Sequence, residues 1–223
     1  MAVVINGDTF VKGIRTGDDR YKGAQVLERR INPSVRHVSA PLRWAAEGEG
    51  WDLLGFEYIP GRPADYRPGS PDLPLLVNAM TAVGETVCPE VPLPLAERRW
   101  RNFSVHPDRL SGRHLLHTDW NRSNILIAAG RAHIVDWACS TRGAAWIDAA
   151  SWVVLLIAAG HTPREAEEWA ARVPAWKLAT PEDLDLWADS QRRLWHNVLH
   201  ARTPKWVIQT AHASRLWYRY RSR

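Results

Sequence analysis

The chain has 223 residues, 45% of them hydrophobic, with a formal net charge of +5. That is enough apolar material for one large domain or two closely packed lobes, and its two cysteines, Cys88 and Cys139, exclude a disulfide framework and lack metal-ligand spacing. No basic segment followed by a long apolar run stands near the N-terminus, so no secretory signal is expected and a reducing cytoplasm is the natural compartment.

Taken in chain order, residues 2–5 and 9–14 are β-prone runs around Asn6-Gly7, which predicts a hairpin with a tight primed turn. Residues 21–30 carry a helical pattern that is expected to end before Asn32-Pro33. An apolar strand over 51–59 runs into Pro60-Gly61, and 63–74 is Pro-rich and turn-like. Ser70-Pro71-Asp72 then opens a helix through about Val83. After the Pro-spaced stretch 88–94, residues 95–103 read as helix. Short strands at 124–127 and 132–136 flank Ala128-Ala129-Gly130-Arg131 and predict a second hairpin. Residues 145–159 form a nearly all-apolar helix that is shorter than the ~18 apolar residues of a membrane span and contains Asp148, so it belongs in a core. Thr162-Pro-Arg-Glu165 is a capping box, Thr180-Pro-Glu-Asp183 starts another helix, and Thr203-Pro204 starts the last.

The chemistry concentrates between His117 and Trp137. His117-Thr-Asp119-Trp-Asn-Arg-Ser-Asn124 is followed by the second hairpin and by Asp136. A hydroxyl attacking the γ-phosphate of ATP needs a carboxylate to orient it and take its proton, and oxygen ligands to hold Mg²⁺ on the phosphates. Asp119 suits the first role, and Asn124 with Asp136 the second. The hairpin returns Asp136 to within about a residue of Asn124, although its register, and so the face each side chain takes, is open at this level. Turn formation by Asp119 and Asn124 is the plainer alternative.

His-x-Asp-x₄-Asn followed by an apolar hairpin ending in Asp resembles the catalytic segment of the aminoglycoside phosphotransferase family, a branch of the protein-kinase-like fold. The resemblance implies an α/β (α+β) two-lobed protein-kinase-like fold. A small β-rich N-terminal ATP-binding lobe and hinge would span 1–60, and a larger helical catalytic and acceptor-binding lobe 61–223. It assigns Lys12 to the α/β-phosphates, with Glu28, the one acid of that stretch inside a helical pattern, as the partner holding it. An exposed strand lysine and a solvated helix-face glutamate are the plain alternatives. The main chain of Glu57 and Ile59 would recognise adenine, His117 would brace the loop that carries Asp119, and Asp148 would brace it from a helix start. The family's first strand and nucleotide-covering loop are not visible before the Asn6-Gly7 hairpin, and no Gly-rich phosphate loop occurs elsewhere.

Eleven of the thirteen tryptophans fall at or after Trp100. Packing is their expected role, including Trp120 and Trp137 beside the candidate site, where an acceptor-pocket role is the alternative. The basic, aromatic end from Arg215 to Arg223 reads as a solvated helix face, and no nucleic-acid or membrane partner is expected. The expectation is therefore an ATP- and Mg²⁺-dependent phosphotransferase acting on a hydroxyl of a small molecule, an aminoglycoside-like antibiotic or a metabolite. A non-catalytic nucleotide-binding kinase-like protein is the alternative. Residues 164–223 carry eleven Lys/Arg against seven Asp/Glu, which does not suit a polycationic acceptor.

Overall fold

A computed structural model of the chain describes residues 2–17, 19–200 and 202–223; Met1, Asp18 and Ala201 lie outside the described residues. The protein is a two-lobed α+β fold. One antiparallel sheet is built from β1 (Ala2–Ile5), β2 (Thr9–Arg15), β3 (Leu42–Gly48) and β4 (Trp51–Glu57), in the spatial order β1-β2-β4-β3. Asn6 and Gly7 close the first hairpin at φ of 51° and 72°, the positive values that a primed turn requires. β3 has little sequence signal because most of its residues are exposed. Its pairing with β4 makes it a strand, with a bulge between Leu42 and Trp44. The Trp44 indole lies so close to Gly55 that a Cβ there would come within 2.1 Å of the ring, so this strand position needs glycine.

Between β2 and β3 runs α1 (Asp19–Val35), which passes through the expected stop at Asn32-Pro33. Proline deprives a helix of one N–H bond, but tertiary contacts hold the last turn here. Ile31 and Val35 are fully buried, and the Asn32 side chain donates to the Ala40 carbonyl and accepts from the Leu42 N–H, both at 2.8 Å.

The rest of the chain contains β5 (Arg62–Pro63), α2 (Leu73–Gly84), α3 (Ala96–Arg99), β6 (His114–Leu116), β7 (Ile125–Ala128), β8 (Arg131–Ile134), β9 (Thr141–Gly143), α4 (Ile147–Ala158), α5 (Pro163–Ala170), α6 (Pro181–Asn197) and α7 (Lys205–Arg221). The helix expected over 95–103 is the single turn α3. The chain bends at Trp100, whose ring packs edge-on to Trp187 at 5.0 Å between centroids. Thr162 with Glu165 and Thr180 with Asp183 form the capping boxes of α5 and α6.

One large apolar core joins α1, α2, α4, α6 and α7, and it includes the fully buried Trp152, Trp187 and Trp217. The sheet carries only a small cluster of its own, Ala40, Leu54 and Phe56. Among the described residues no helix is long and apolar enough to cross a membrane.

Candidate active site

The loop that follows β6 is built around a buried carboxylate. Asp148, in the first turn of α4, accepts the main-chain N–H groups of His117 and Thr118 at 2.8 and 2.9 Å. Burial pushes its carboxyl above the usual range against those two bonds. His117 is completely buried. Its Nε2 lies 3.1 Å from the Val135 carbonyl, which can only accept, and its Nδ1 faces the Asp119 N–H at 3.3 Å, which can only donate. The ring is therefore the neutral Nε2–H tautomer, and burial pushes its pKa down in agreement. It braces the loop against β8 while the Trp120 and Trp137 rings meet it edge-on, both buried in packing.

Asp119 stands half-buried on this loop and meets Asn124, whose Nδ2 donates to Asp119 Oδ2 at 2.9 Å. The β7–β8 hairpin pairs Ile125 with Ile134, and the Val135 N–H reaches the Asn124 carbonyl at 2.9 Å. The register left open by sequence thus sets Asn124 and Asp136 side by side on the lining of one cavity. Asp136 is held at φ 62°. Lys12, on β2, joins them from the sheet: its Nζ donates to Glu28 Oε2 at 2.8 Å and to Asp136 Oδ1 at 2.5 Å. Burial pushes the ammonium down, yet Glu28 and Asp136 outweigh it and leave its pKa raised. Glu28 is 3% exposed; burial raises its carboxyl, against the pull of Lys12, and its Oε1 accepts the Trp137 N–H.

The cavity measures about 630 Å³. Lys12, Glu28, Asn124 and Asp136 gather on its lining, and apolar side chains including Phe56, Leu126 and Val135 make up much of the rest. Glu57 and Ile59 line it as well. The Glu57 N–H is already bound to the Pro41 carbonyl, whereas the Ile59 N–H makes no hydrogen bond to any described residue. Asp119 and His117 do not line the cavity, and Asp119 borders it through Asn124.

The comparisons with known proteins rest on structure, since neither a family model nor a curated protein matches the chain. A choline/ethanolamine kinase family protein from Mesorhizobium loti superposes with a TM-score of 0.60 at 15% identity, covering 97% of this chain and 86% of that one. The GDP complex of aminoglycoside 2'-phosphotransferase-IIIa gives 0.58 at 11% identity, over 98% and 89%. Aminoglycoside phosphotransferase APH(3'')-Id from Streptomyces rimosus, in complex with ADP and streptomycin, gives 0.57 at 15%, over 82% and 85%. The chain has the aminoglycoside phosphotransferase, protein-kinase-like fold.

Within this kinase-like fold, two site residues escaped the sequence reading. Thr118 sits at φ 65°, an outlier for a β-branched side chain that costs about 1–3 kcal/mol. It is held there by Asp148 and by its own Oγ1, which donates to the Cys139 carbonyl at 2.7 Å. Arg99 Nη1 locks the same corner, reaching Thr118 Oγ1, the Cys139 carbonyl and Thr141 Oγ1 at 2.6–2.8 Å. Nothing in the sequence links Arg99 to a loop nineteen residues away, and Thr118 is visible only as the variable position between His117 and Asp119.

The donor set fits a hard cation bound together with phosphates. The Asn124 Nδ2 donates to Asp119, and among the described residues neither the Asn124 amide oxygen nor Asp136 Oδ2 has a hydrogen-bond partner. Among the described residues no cluster of three or more His, Cys, Asp or Glu could cage a metal alone. Mg²⁺ is commonly held by one or two protein oxygens plus substrate phosphates and water.

Proposed function

We propose that the protein transfers the γ-phosphoryl group of ATP to a hydroxyl of a small molecule. The observation that carries this reading is the convergence of Lys12, Glu28 and Asp136 with the Asn124–Asp119 pair at one polar corner of an otherwise largely apolar cavity. Adenine fits the apolar bed, where the Glu57 carbonyl and the unbonded Ile59 N–H offer a main-chain acceptor and donor. Two of the three Lys12 ammonium donors are engaged by Glu28 and Asp136, and the third is left for the α/β-phosphates. Asn124 and Asp136 would hold Mg²⁺, which, when bound, offsets the charge of the phosphates.

In the transfer itself the acceptor oxygen forms a bond to the γ-phosphorus, the bond from that phosphorus to the β–γ bridging oxygen breaks, and ADP leaves. The hydroxyl proton passes to Asp119. Asn124 holds Asp119 through Oδ2, which leaves Oδ1 as the oxygen to take the proton. His117 acts as a positioning residue: neutral and buried, it sets the loop and carries no proton in the reaction.

The test pairs calorimetric titration with Mg²⁺-ATP and a mass-spectrometric screen of hydroxylated metabolites and antibiotics for ATP-dependent mass gain. Binding together with mass gain supports the reading, and binding with no transfer to any compound favours a non-catalytic nucleotide-binding protein. Asp136→Ala should weaken Mg²⁺-dependent binding and turnover together, and Asn124→Ala should do so less, because it removes a neutral ligand. Parent-like Mg²⁺ titrations for both variants would remove the metal assignment.

A further inference from the structure

Beside the loop of Asp119 the fold forms a second concavity, of about 540 Å³, between the segment 93–99 and Ala138-Cys139. Leu93, Pro94 and Leu95 give it an apolar floor, Arg98 and Arg99 stand on it, and no acidic residue lines it. Among the described residues neither guanidinium group has an ion-pair partner. Arg98 has no carboxylate partner among the described residues, and Arg99 directs Nη1 only at neutral oxygens, those of Thr118, Cys139 and Thr141, while its guanidinium lies over the Trp100 ring at 4.8 Å. Some arginines elsewhere are paired, Arg62 by Asp72, Arg109 by Asp183, and Arg221 by Glu167 and Asp185; what sets Arg98 and Arg99 apart from the other arginines without a carboxylate is that both line one concavity.

Two unpaired guanidinium groups with spare N–H donors above an apolar floor match a carboxylate or phosphate carried on a small carbon skeleton. Position gives the match its meaning. Arg99 grips Thr118, the residue before Asp119, and Cys139 follows Asp136 by three residues. The concavity therefore adjoins, through Arg99, the loop that carries Asp119.

We propose that this concavity binds the anionic group of the phosphoryl acceptor, so that the acceptor is a small hydroxyl compound bearing a carboxylate or phosphate. The proposal rests on the phosphotransfer reading and adds the substrate class to it. A polycation such as streptomycin would meet two like charges at this place, which disfavours it.

Calorimetric titration of the full chain tests it, with glycerate and glycerol 3-phosphate as anionic probes, glycerol as the neutral control, and choline and streptomycin as cations, each with and without Mg²⁺ and a non-hydrolysable ATP analogue. The expected result is that at least one anion binds and that glycerol and the cations do not. Arg98→Glu should weaken anion binding about ten- to a hundredfold, the scale of one charge-assisted contact, and leave the affinity for the ATP analogue unchanged. Arg98→Lys should recover part of the loss. Absence of anion binding by the parent chain, tighter binding of a cation than of either anion, or parent-like anion affinity in Arg98→Glu would each overturn the proposal. Anion binding that responds to Arg98 in a chain that does not bind the ATP analogue would support the anion site and overturn the phosphotransfer reading alone.

Discussion

The sheet of β1–β4 and the helical body differ most in how they are held. The sheet's own apolar cluster is only Ala40, Leu54 and Phe56, and Val3, Val4 and Ile5 of β1 are exposed. The helical body has a continuous core in which Trp187 meets both Trp100 and Trp146 edge-on, at 5.0 and 6.0 Å. Asp119, Asn124 and Asp136 stand on loops braced by the large core, through Asp148 on α4 and through the β7–β8 hairpin. Glu28 belongs with that core as well, since Leu27, Ile31 and Val35 of α1 pack into it. Lys12 is the one proposed phosphate-contacting side chain and comes from a strand of the sheet, and two ion pairs tie it to the rest. Groups whose proposed work depends on angle and distance thus sit on the part of the molecule with the more extensive core. The group asked only to place a charge sits on the lightest, and charge is more tolerant of displacement than proton transfer is.

The sharpest way to break this comparison is kinetic. Asp119→Asn should lower turnover about 10²–10⁴-fold, the scale of a positioned general base, with Mg²⁺-ATP binding and thermal stability close to the parent in calorimetry. Lys12→Met should act mainly on ATP affinity. A larger loss of turnover at saturating ATP from Lys12→Met than from Asp119→Asn would reverse the roles assigned to the two regions.

Stability should divide in the same way. Trp187→Ala removes a fully buried ring from the large core and should cost about 3–5 kcal/mol in denaturant unfolding. Leu54→Ala, in the small cluster under the sheet, should cost about 2 kcal/mol. It should also raise the KM for ATP, because Phe56 beside it lines the cavity proposed to hold the nucleotide. Equal losses from the two variants, with no change in KM, would mean that the sheet and the body do not differ as argued.

The smallest expected effect concerns acid. Arg62 donates to both oxygens of Asp72 at 2.6 and 2.7 Å and holds its carboxyl below the ordinary 3.8. A depressed carboxyl binds fewer protons in the folded chain than in the unfolded one. Its contribution is therefore present above about pH 4 and is lost as pH falls through the folded pKa. Asp72→Asn should cost about 1 kcal/mol at neutral pH, since Arg62 is more than half exposed. It should also flatten the fall in stability below pH 4, and an acid limb identical to the parent's would remove this role for Asp72.

Much of this was legible in the chain itself, because local rules governed it. Asn6-Gly7 dictated a primed turn, the capping box at Thr162 and the Thr180-Pro181 start opened their helices, and the spacing of His117, Asp119, Asn124 and Asp136 pointed to the candidate site. Tertiary structure decided the rest. α1 passed through Pro33 because burial of Ile31 and Val35, with the bonds of Asn32, outweighed a local stop signal. β3 exists because β4 pairs with it, and the 95–103 helix shrank to α3 where Trp100 turned toward Trp187. Arg99 and the left-handed Thr118 stayed invisible for the same reason: their partners are Cys139, Thr141 and Asp148, distant in sequence, and no local pattern encodes a contact whose energy arises only when the chain closes on itself.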